Sequence, residues 1–295
     1  MHARLRGSRT LVAALASFVA LALLLGACGQ EEDDADLPAA RASGGDACAK
    51  EGLPLHSPGV LTIATDKPAF EPWFVDNDPT NGKGFESAVA YAVAEEMGFS
   101  EDEVEWVVEP FNKSYAPGPK DYDFDVNQIS ITEKREEAVD FSEGYYDVNQ
   151  ALVARKDSPV AGATSLAELA GYKLGAQVGT TSYAYITQYV QPGEQPFTYD
   201  NTNDAKSALN AGQIDGIVVD LPTAFYISAV EIPGSSVVGQ FVSQGETEQF
   251  GLLFEDGNPL VDCVDEALAA LREDGTLAAI QDEWLSQAVS APVLE

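Results

Sequence analysis

Arg135 is the residue of this sequence best suited to hold a carboxylate. A guanidinium offers two parallel N–H donors that match the two oxygens, which a lysine ammonium cannot do. Arg135 stands in the run Ser130-Ile-Thr132-Glu-Lys-Arg135-Glu-Glu, three residues after a threonine able to cap a helix. Taken alone, the same run also reads as a solvated charge cluster with Arg135 in an i,i+4 pair. Asp220 closes an apolar run, residues 214–219, and is followed by Leu-Pro222. Its carboxylate can receive a cation at a strand end or cap the helix that Pro222 would open. Hydrolytic chemistry is poorly served. Beyond His2 the only histidine is His56, in the loop-like stretch 54–58. That excludes most histidine-based zinc sites and would rest a Ser-His-Asp triad on one loop residue. HExxH, GxSxG and a lysine-bearing phosphate loop are all absent from the sequence. No catalytic residue, metal or cofactor is expected.

The elements that must position these groups follow a βα rhythm. Residues 60–65, 104–108 and 126–131 read as buried strands. Phe85, Ala88, Val89, Ala92, Val93 and Met97 recur at helical spacing and form one apolar face. A helix is expected after Thr132. Further strands are expected at 151–154, 173–178, 214–219 and 250–254, between helices opened by Ser165, Thr181 and Asn203. Ser165 and Glu168 have the spacing of a capping box. Two helices, 260–272 and 277–287, close the chain around Asp274-Gly275. The alternation predicts an α/β protein with largely parallel sheets.

The first residues carry an address. His2, Arg4, Arg6 and Arg9 form a basic head, residues 11–25 are almost wholly apolar, and Leu25-Gly-Ala-Cys28 follows. This is the layout of a secretory signal. The last four residues resemble the lipobox of bacterial lipoproteins, in which the cysteine thiol is acylated and becomes the new N-terminus. The apolar stretch is short of the ~20 residues needed to span a bilayer. Residues 1–27 are therefore expected to be removed, leaving the chain extracytoplasmic and lipid-anchored through Cys28. The acidic, Ala/Gly-rich segment 28–50 reads as a flexible tether. Loss of the signal leaves 13 basic against 48 acidic side chains, a formal charge of −35. Such a field disfavours nucleic acid as a partner. Cys48 and Cys263 remain as a pair, and outside the cytoplasm a disulfide is the expected state, with two reduced thiols the alternative.

Four segments carry a family resemblance. They are Leu61-Thr-Ile-Ala-Thr-Asp66 leading to Phe70-Glu-Pro-Trp73 and Gly82-Lys-Gly-Phe85-Glu86; Asp123-x-Asp125-Val-Asn-Gln-Ile-Ser130-Ile-Thr132-Glu-Lys-Arg135 leading to Val139-Asp-Phe-Ser142; Leu174-Gly-Ala-Gln-Val-Gly179-Thr180-Thr181; and Gly212-Gln-Ile-Asp215-Gly-Ile-Val-Val-Asp220. Their order and spacing resemble the polar amino-acid-binding proteins of ABC importers (family 3, periplasmic-binding-protein type II fold), which include histidine-, glutamine- and lysine/arginine-binding proteins. The likeness runs from Gly59 to Leu285. It implies two α/β lobes joined by two crossing strands, with the ligand in the cleft between them. Carried over, lobe I is 51–147 plus 246–295, and lobe II is 148–245 with hinge segments at both ends. The crossings fall near 147–150 and 241–245, and both Cys48 and Cys263 fall in lobe I.

The resemblance also implies roles. Arg135 resembles the carboxylate clamp and Asp220 the ammonium acceptor. Thr181 and Ser130 would hydrogen-bond the ligand backbone. Asn127 and Gln128 stand where small residues are usual in some relatives, and Gln128 is placed to reach the ligand side chain. Phe70 would stack on that side chain with Trp73 close by, although both aromatics also read as core. Asp66, Glu71 and Glu109 lie near the same pocket, and two of them facing inward would favour a cationic ligand. The expected partners are an amino acid and a membrane permease with its ATPase, with the protein itself a monomer. Two other readings stay open. One is a dehydratase-like enzyme on the same fold, with one of those acids as general acid. The other is a sensor that docks on a signalling receptor.

Overall fold

The computed structural model describes residues 48–243, 245–286 and 291–294. Cys28, the signal and nearly all of the tether lie outside the described residues. The strands are β1 (Leu61–Thr65), β2 (Val104–Val108), β3 (Phe124–Asp125), β4 (Val139–Phe141), β5 (Tyr146–Asp147), β6 (Gln150–Arg155), β7 (Leu174–Gln177), β8 (Phe197–Tyr199), β9 (Gly216–Asp220), β10 (Ser235–Phe241), β11 (Gln249–Phe250) and β12 (Leu253–Glu255). The helices are α1 (Phe85–Glu96), α2 (Phe111–Ser114), α3 (Glu133–Glu136), α4 (Leu166–Leu169), α5 (Thr181–Tyr185), α6 (Thr202–Asn210), α7 (Leu221–Tyr226), α8 (Leu260–Glu273) and α9 (Thr276–Leu285).

Two five-stranded sheets result, ordered β2-β1-β3-β12-β4 and β10-β6-β9-β7-β8, with a ribbon of β5 and β11 between them in the chain. In the first sheet β1 pairs in parallel with β2 and β3, while β12 runs antiparallel to β3 and β4. In the second, β7 is parallel to β8 and β9, and β6 is antiparallel to β9 and β10. The inner strands β1, β6 and β9 are buried on both faces, which is why they read as near-continuous apolar runs. In β6, Ala151 and Val153 face the core with α6 and α7, whereas Leu152 and Ala154 face the opposite core with Tyr185 and Ile186. In the first sheet, Leu61, Ile63 and Phe124 pack against Val89 and Val93 of α1 and Val264 and Leu268 of α8. Cys48 and Cys263 are bridged (Cα–Cα 5.3 Å), which ties the start of the described chain to α8.

Several local expectations change. The strand expected at 126–131 stops at Asp125, because Gln128 takes a left-handed backbone (φ 48°) and its N–H turns to the Glu86 carboxylate at 2.7 Å. The strand expected at 250–254 splits at Gly251, whose N–H donates to the Ile129 carbonyl. A Cβ at Gly251 would stand 2.8 Å from Ile131 Cγ1. Ser165 makes no side-chain cap; Glu168 instead accepts from the Thr164 N–H. Residues 291–294, counted with lobe I from the sequence, lie on the second sheet. Leu294 is buried in its core, and Gln240 exchanges backbone bonds with Pro292 and Leu294 (2.7 and 3.0 Å). Among the described residues no helix is long and apolar enough to cross a membrane.

Candidate functional site

A cavity opens between the two sheets, beside the ribbon. From the first sheet's side it is lined by Asp66, Phe70, Phe111, Asn127, Gln128, Ser130 and Arg135, and from the second by Gln177, Thr180, Thr181, Ser182, Thr202 and Asp220.

Arg135 sits in the single turn α3, where the Thr132 hydroxyl accepts the Arg135 N–H at 3.3 Å and fixes the start of the helix. The residue is 7% exposed, and its guanidinium lies over the rings of Phe111 and Tyr115, at 5.4 and 4.8 Å from their centroids. Nη1 donates to the Ser130 carbonyl at 2.6 Å and Nη2 to the Gly179 carbonyl at 3.1 Å, the second contact reaching the other lobe. Burial lowers its pKa, with Tyr115, Glu248 and Asp220 opposing, yet a guanidinium stays charged throughout. Gly179 is required here. Its φ is 79°, and a Cβ would collide with the Tyr115 hydroxyl and Asn112 Oδ1.

Acids gather on the opposite side. Asp220 ends β9 and makes no cap bond to α7, so its carboxylate is turned to the cavity. Gln150 Nε2 donates to it at 2.7 Å, and the Gln150 carbonyl oxygen accepts from Ser182 Oγ at 2.6 Å. Burial and then the neighbouring Glu248 carboxylate push Asp220 up to about 7, against the Gln150 hydrogen bond. Glu248 accepts from Ser130 Oγ at 2.6 Å and from Gln150 Nε2 at 3.2 Å. Ser130 Oγ also lies 3.3 Å from Thr181 Oγ1, which joins the two lobes at a hydroxyl pair. Thr181 is the first residue of α5, one after the capping Thr180.

Behind this wall, Glu86 is fully buried at the start of α1. It accepts from the Gln128 backbone N–H, from Gln128 Nε2 and from the Tyr145 hydroxyl at 2.5 Å. Burial raises it to about 7 although all three bonds oppose the shift. One N–H of the Gln128 amide is thereby given to Glu86, while Gln128 itself lines the cavity.

Eight of the sequence candidates line the cavity: Asp66, Phe70, Asn127, Gln128, Ser130, Arg135, Thr181 and Asp220. Trp73 does not. It is 0% exposed and edge-packed on Phe85, Tyr146 and Phe250 in the first core. Glu71 lies outside the cavity, in contact with Tyr226, and Glu109 pairs with Lys113 at 2.9 Å elsewhere. Asp66 is the one acid of that trio in the cleft, held by the N–H groups of Lys67 and Phe111. Phe111, Gln177, Thr180, Ser182 and Thr202 line it unforeseen, with Gln150, Glu248 and Glu86 as braces. Among the described residues no group of three or more His, Cys, Asp or Glu side chains is placed to hold a metal.

The profile of the bacterial extracellular solute-binding proteins, family 3, matches residues 61–287. The chain belongs to that family. Family 3 relatives include the L-cystine-binding protein TcyJ of Escherichia coli (strain K12), 29% identical over 250 residues, which cover 82% of this chain and 89% of that protein. The L-cystine-binding protein TcyA of Bacillus subtilis (strain 168) is also 29% identical and covers 94% and 98%. Among solved family 3 structures, an ancestral arginine-binding protein bound to glutamine superposes with a TM-score of 0.66 at 29% identity, over 78% of this chain and 99% of that one. The fold is the two-lobed periplasmic-binding-protein type II fold of family 3, with the cavity in the interlobe cleft. The family's members act as extracellular or periplasmic binding proteins for solutes, and the curated relatives bind amino acids.

Proposed function

We propose that this chain is a lipid-anchored binding protein that captures one polar amino acid by lobe closure and delivers it to an ABC permease. The observation that carries the reading is the split of charge in the cleft: among the described residues the Arg135 guanidinium donates to two carbonyls, while Asp220 lines the other lobe's wall with the Glu248 carboxylate near it. A free amino acid presents a carboxylate and an ammonium on one carbon, and this cleft offers each a partner of opposite sign. Arg135 takes the carboxylate as a fork, with Ser130 and Thr181 supplying hydroxyls. Asp220 takes the ammonium. Phe70, Asp66 and Asn127 meet the side chain, Gln128 contributes its backbone turn, and Trp73 and Glu71 act outside the pocket. Lobe I comprises 51–147 and 246–286; lobe II comprises 148–245, now with 291–294. The protein acts as a monomer at the outer face of the membrane, on a leash from acylated Cys28, and performs no covalent chemistry.

A thermal-shift screen against the twenty amino acids and cystine tests the binding claim. Ligand at 100 times its dissociation constant adds about 2.7 kcal/mol of stability. No shift with any of them would overturn the reading. Mass spectrometry of the protein made in a bacterial host tests the anchor: an acylated Cys28 as the new N-terminus is expected, and an unmodified thiol there would remove it.

A further inference from the structure

One loop of lobe I, residues 70–73, touches lobe II at three points, two of them outside the cavity. The Trp73 indole N–H donates to Thr223 Oγ1 at 2.9 Å. Thr223 lies on α7, and Tyr226 on the same helix meets Glu71; burial and then this hydrogen-bonded carboxylate push the Tyr226 phenol up to about 12. Lys206 of α6 places Nζ 5.1 Å from the Phe70 ring centroid and is held there by Glu231 at 2.5 Å.

The loop itself is fixed to lobe I. The N–H groups of Phe85 and Glu86, at the start of α1, donate to the carbonyls of Pro72 and Trp73 at 3.1 and 3.0 Å. Gly84, with φ 96°, allows this approach, since a Cβ there would collide with the Trp73 carbonyl. The Trp73 ring is wedged against Phe250 of the hinge ribbon at 5.5 Å. The indole N–H is therefore carried on a lobe I support, and among the described residues its acceptor lies on lobe II.

We propose that Trp73–Thr223, Glu71–Tyr226 and Phe70–Lys206 form a closing latch that stabilises the shut form, the first two contacts lying outside the ligand cavity. The proposal rests on the clamp reading for its purpose, although its contacts are made by the protein's own residues. Opening must separate a buried donor from its acceptor, which disfavours the open state by a factor of about three to ten for this hydrogen bond. Phe70 belongs to both systems, because one ring lines the cavity and also carries Lys206. A side chain packed on Phe70 thus acts on the same surface as the latch.

The test is Thr223→Val, which removes the oxygen and keeps the shape. In the unliganded protein, hydrogen exchange at the Trp73 indole N–H is followed by NMR, with the signal assigned by Trp73→Phe. Exchange about three to ten times faster in T223V is expected. The Trp106 indole, bonded within lobe I to the Tyr91 hydroxyl at 3.2 Å, should not change. Unchanged exchange at Trp73, or equal acceleration at both indoles, would overturn the latch. A second arm uses stopped-flow release of L-arginine, L-glutamine or L-cystine, whichever binds. Release should quicken by a similar factor with association unchanged; an unchanged release rate would overturn the latch's part in retention. If none of the three binds, the clamp reading is in difficulty while the exchange result still decides the latch.

Discussion

The two ends of the cleft handle buried charge in opposite ways. At one end a single guanidinium is satisfied by two carbonyls and two aromatic rings, and among the described residues it has no acidic partner within ion-pair distance. At the other, Asp220 and Glu248 share the single amide of Gln150, and both Asp220 and the deeper Glu86 are raised to about 7. A protein built for stability alone would pair these charges, since an uncompensated buried ion is costly. Holding them apart leaves both ends in need of a partner. A zwitterion fits both at once, so the strain of each end becomes binding energy when the ligand arrives.

Arg135→Ala should break the comparison most completely. Truncating one member of a buried, hydrogen-bonded charge pair costs about 2–5 kcal/mol, so isothermal titration should find affinity reduced by at least about thirtyfold and in practice undetectable. Arg135→Lys keeps the charge and loses the fork, and should fall between the two. Affinity like wild type in Arg135→Ala would remove the guanidinium from the ligand contacts. Asp220→Asn should weaken binding less, by about 2 kcal/mol. It should also raise the unliganded melting temperature at pH 8, because it relieves repulsion from Glu248. A matching fall in stability would mean that Asp220 serves the fold and not the ligand.

What the sequence made legible was local. Thr132 and Arg135 lie three residues apart, and the capping bond between them follows from residue type and spacing. The buried strands of the second sheet follow from two-sided apolar runs. The braces were not legible in this way, because each depends on a long-range pairing. Glu86 reaches Gln128 across 42 residues and Glu248 reaches Ser130 across 118. Glu248 stood in the acidic stretch Gly245-Glu-Thr-Glu248, indistinguishable from solvated surface in so acidic a chain. The strand expected after Val126 failed for the same reason. Its alternation favours extension, but the Glu86 carboxylate captures the Gln128 amides and turns the backbone out of the sheet. From the sequence Trp73 reads as either stacker or core, and its packing on Phe85, Tyr146 and Phe250 puts it in the core.

The acid wall also sets a pH response. A carboxylate whose folded pKa is raised holds its proton in the native state where the unfolded chain has lost it. Its contribution to stability is full below the unfolded value near 4 and is lost as pH rises through the folded value. Glu86 and Asp220, both raised to about 7, should therefore make the unliganded protein more stable at pH 5.5 than at pH 8 by calorimetry. A ligand ammonium favours the ionised form of Asp220, so binding near pH 6 should release a proton and affinity should rise between pH 5 and pH 7. Titration calorimetry in two buffers of different ionisation enthalpy reads that proton directly. Equal apparent enthalpies would place Asp220 already ionised before the ligand binds.

The smallest effect separates acids that await a ligand from one that does not. Asp125 is 0% exposed, neither carboxyl oxygen has a hydrogen-bond partner among the described residues, and it does not line the cavity. Burial first, then the carboxylates of Glu109, Glu86 and Asp66, raise its pKa well above the usual range. Asp125→Asn keeps the shape and removes the ionisation, so affinity should stay within about twofold. Stability at pH 8 should rise by about 1 kcal/mol, a gain that shrinks toward pH 5 as the wild-type acid takes up its proton. A gain independent of pH would mean that Asp125 is ionised in the folded and the unfolded chain alike.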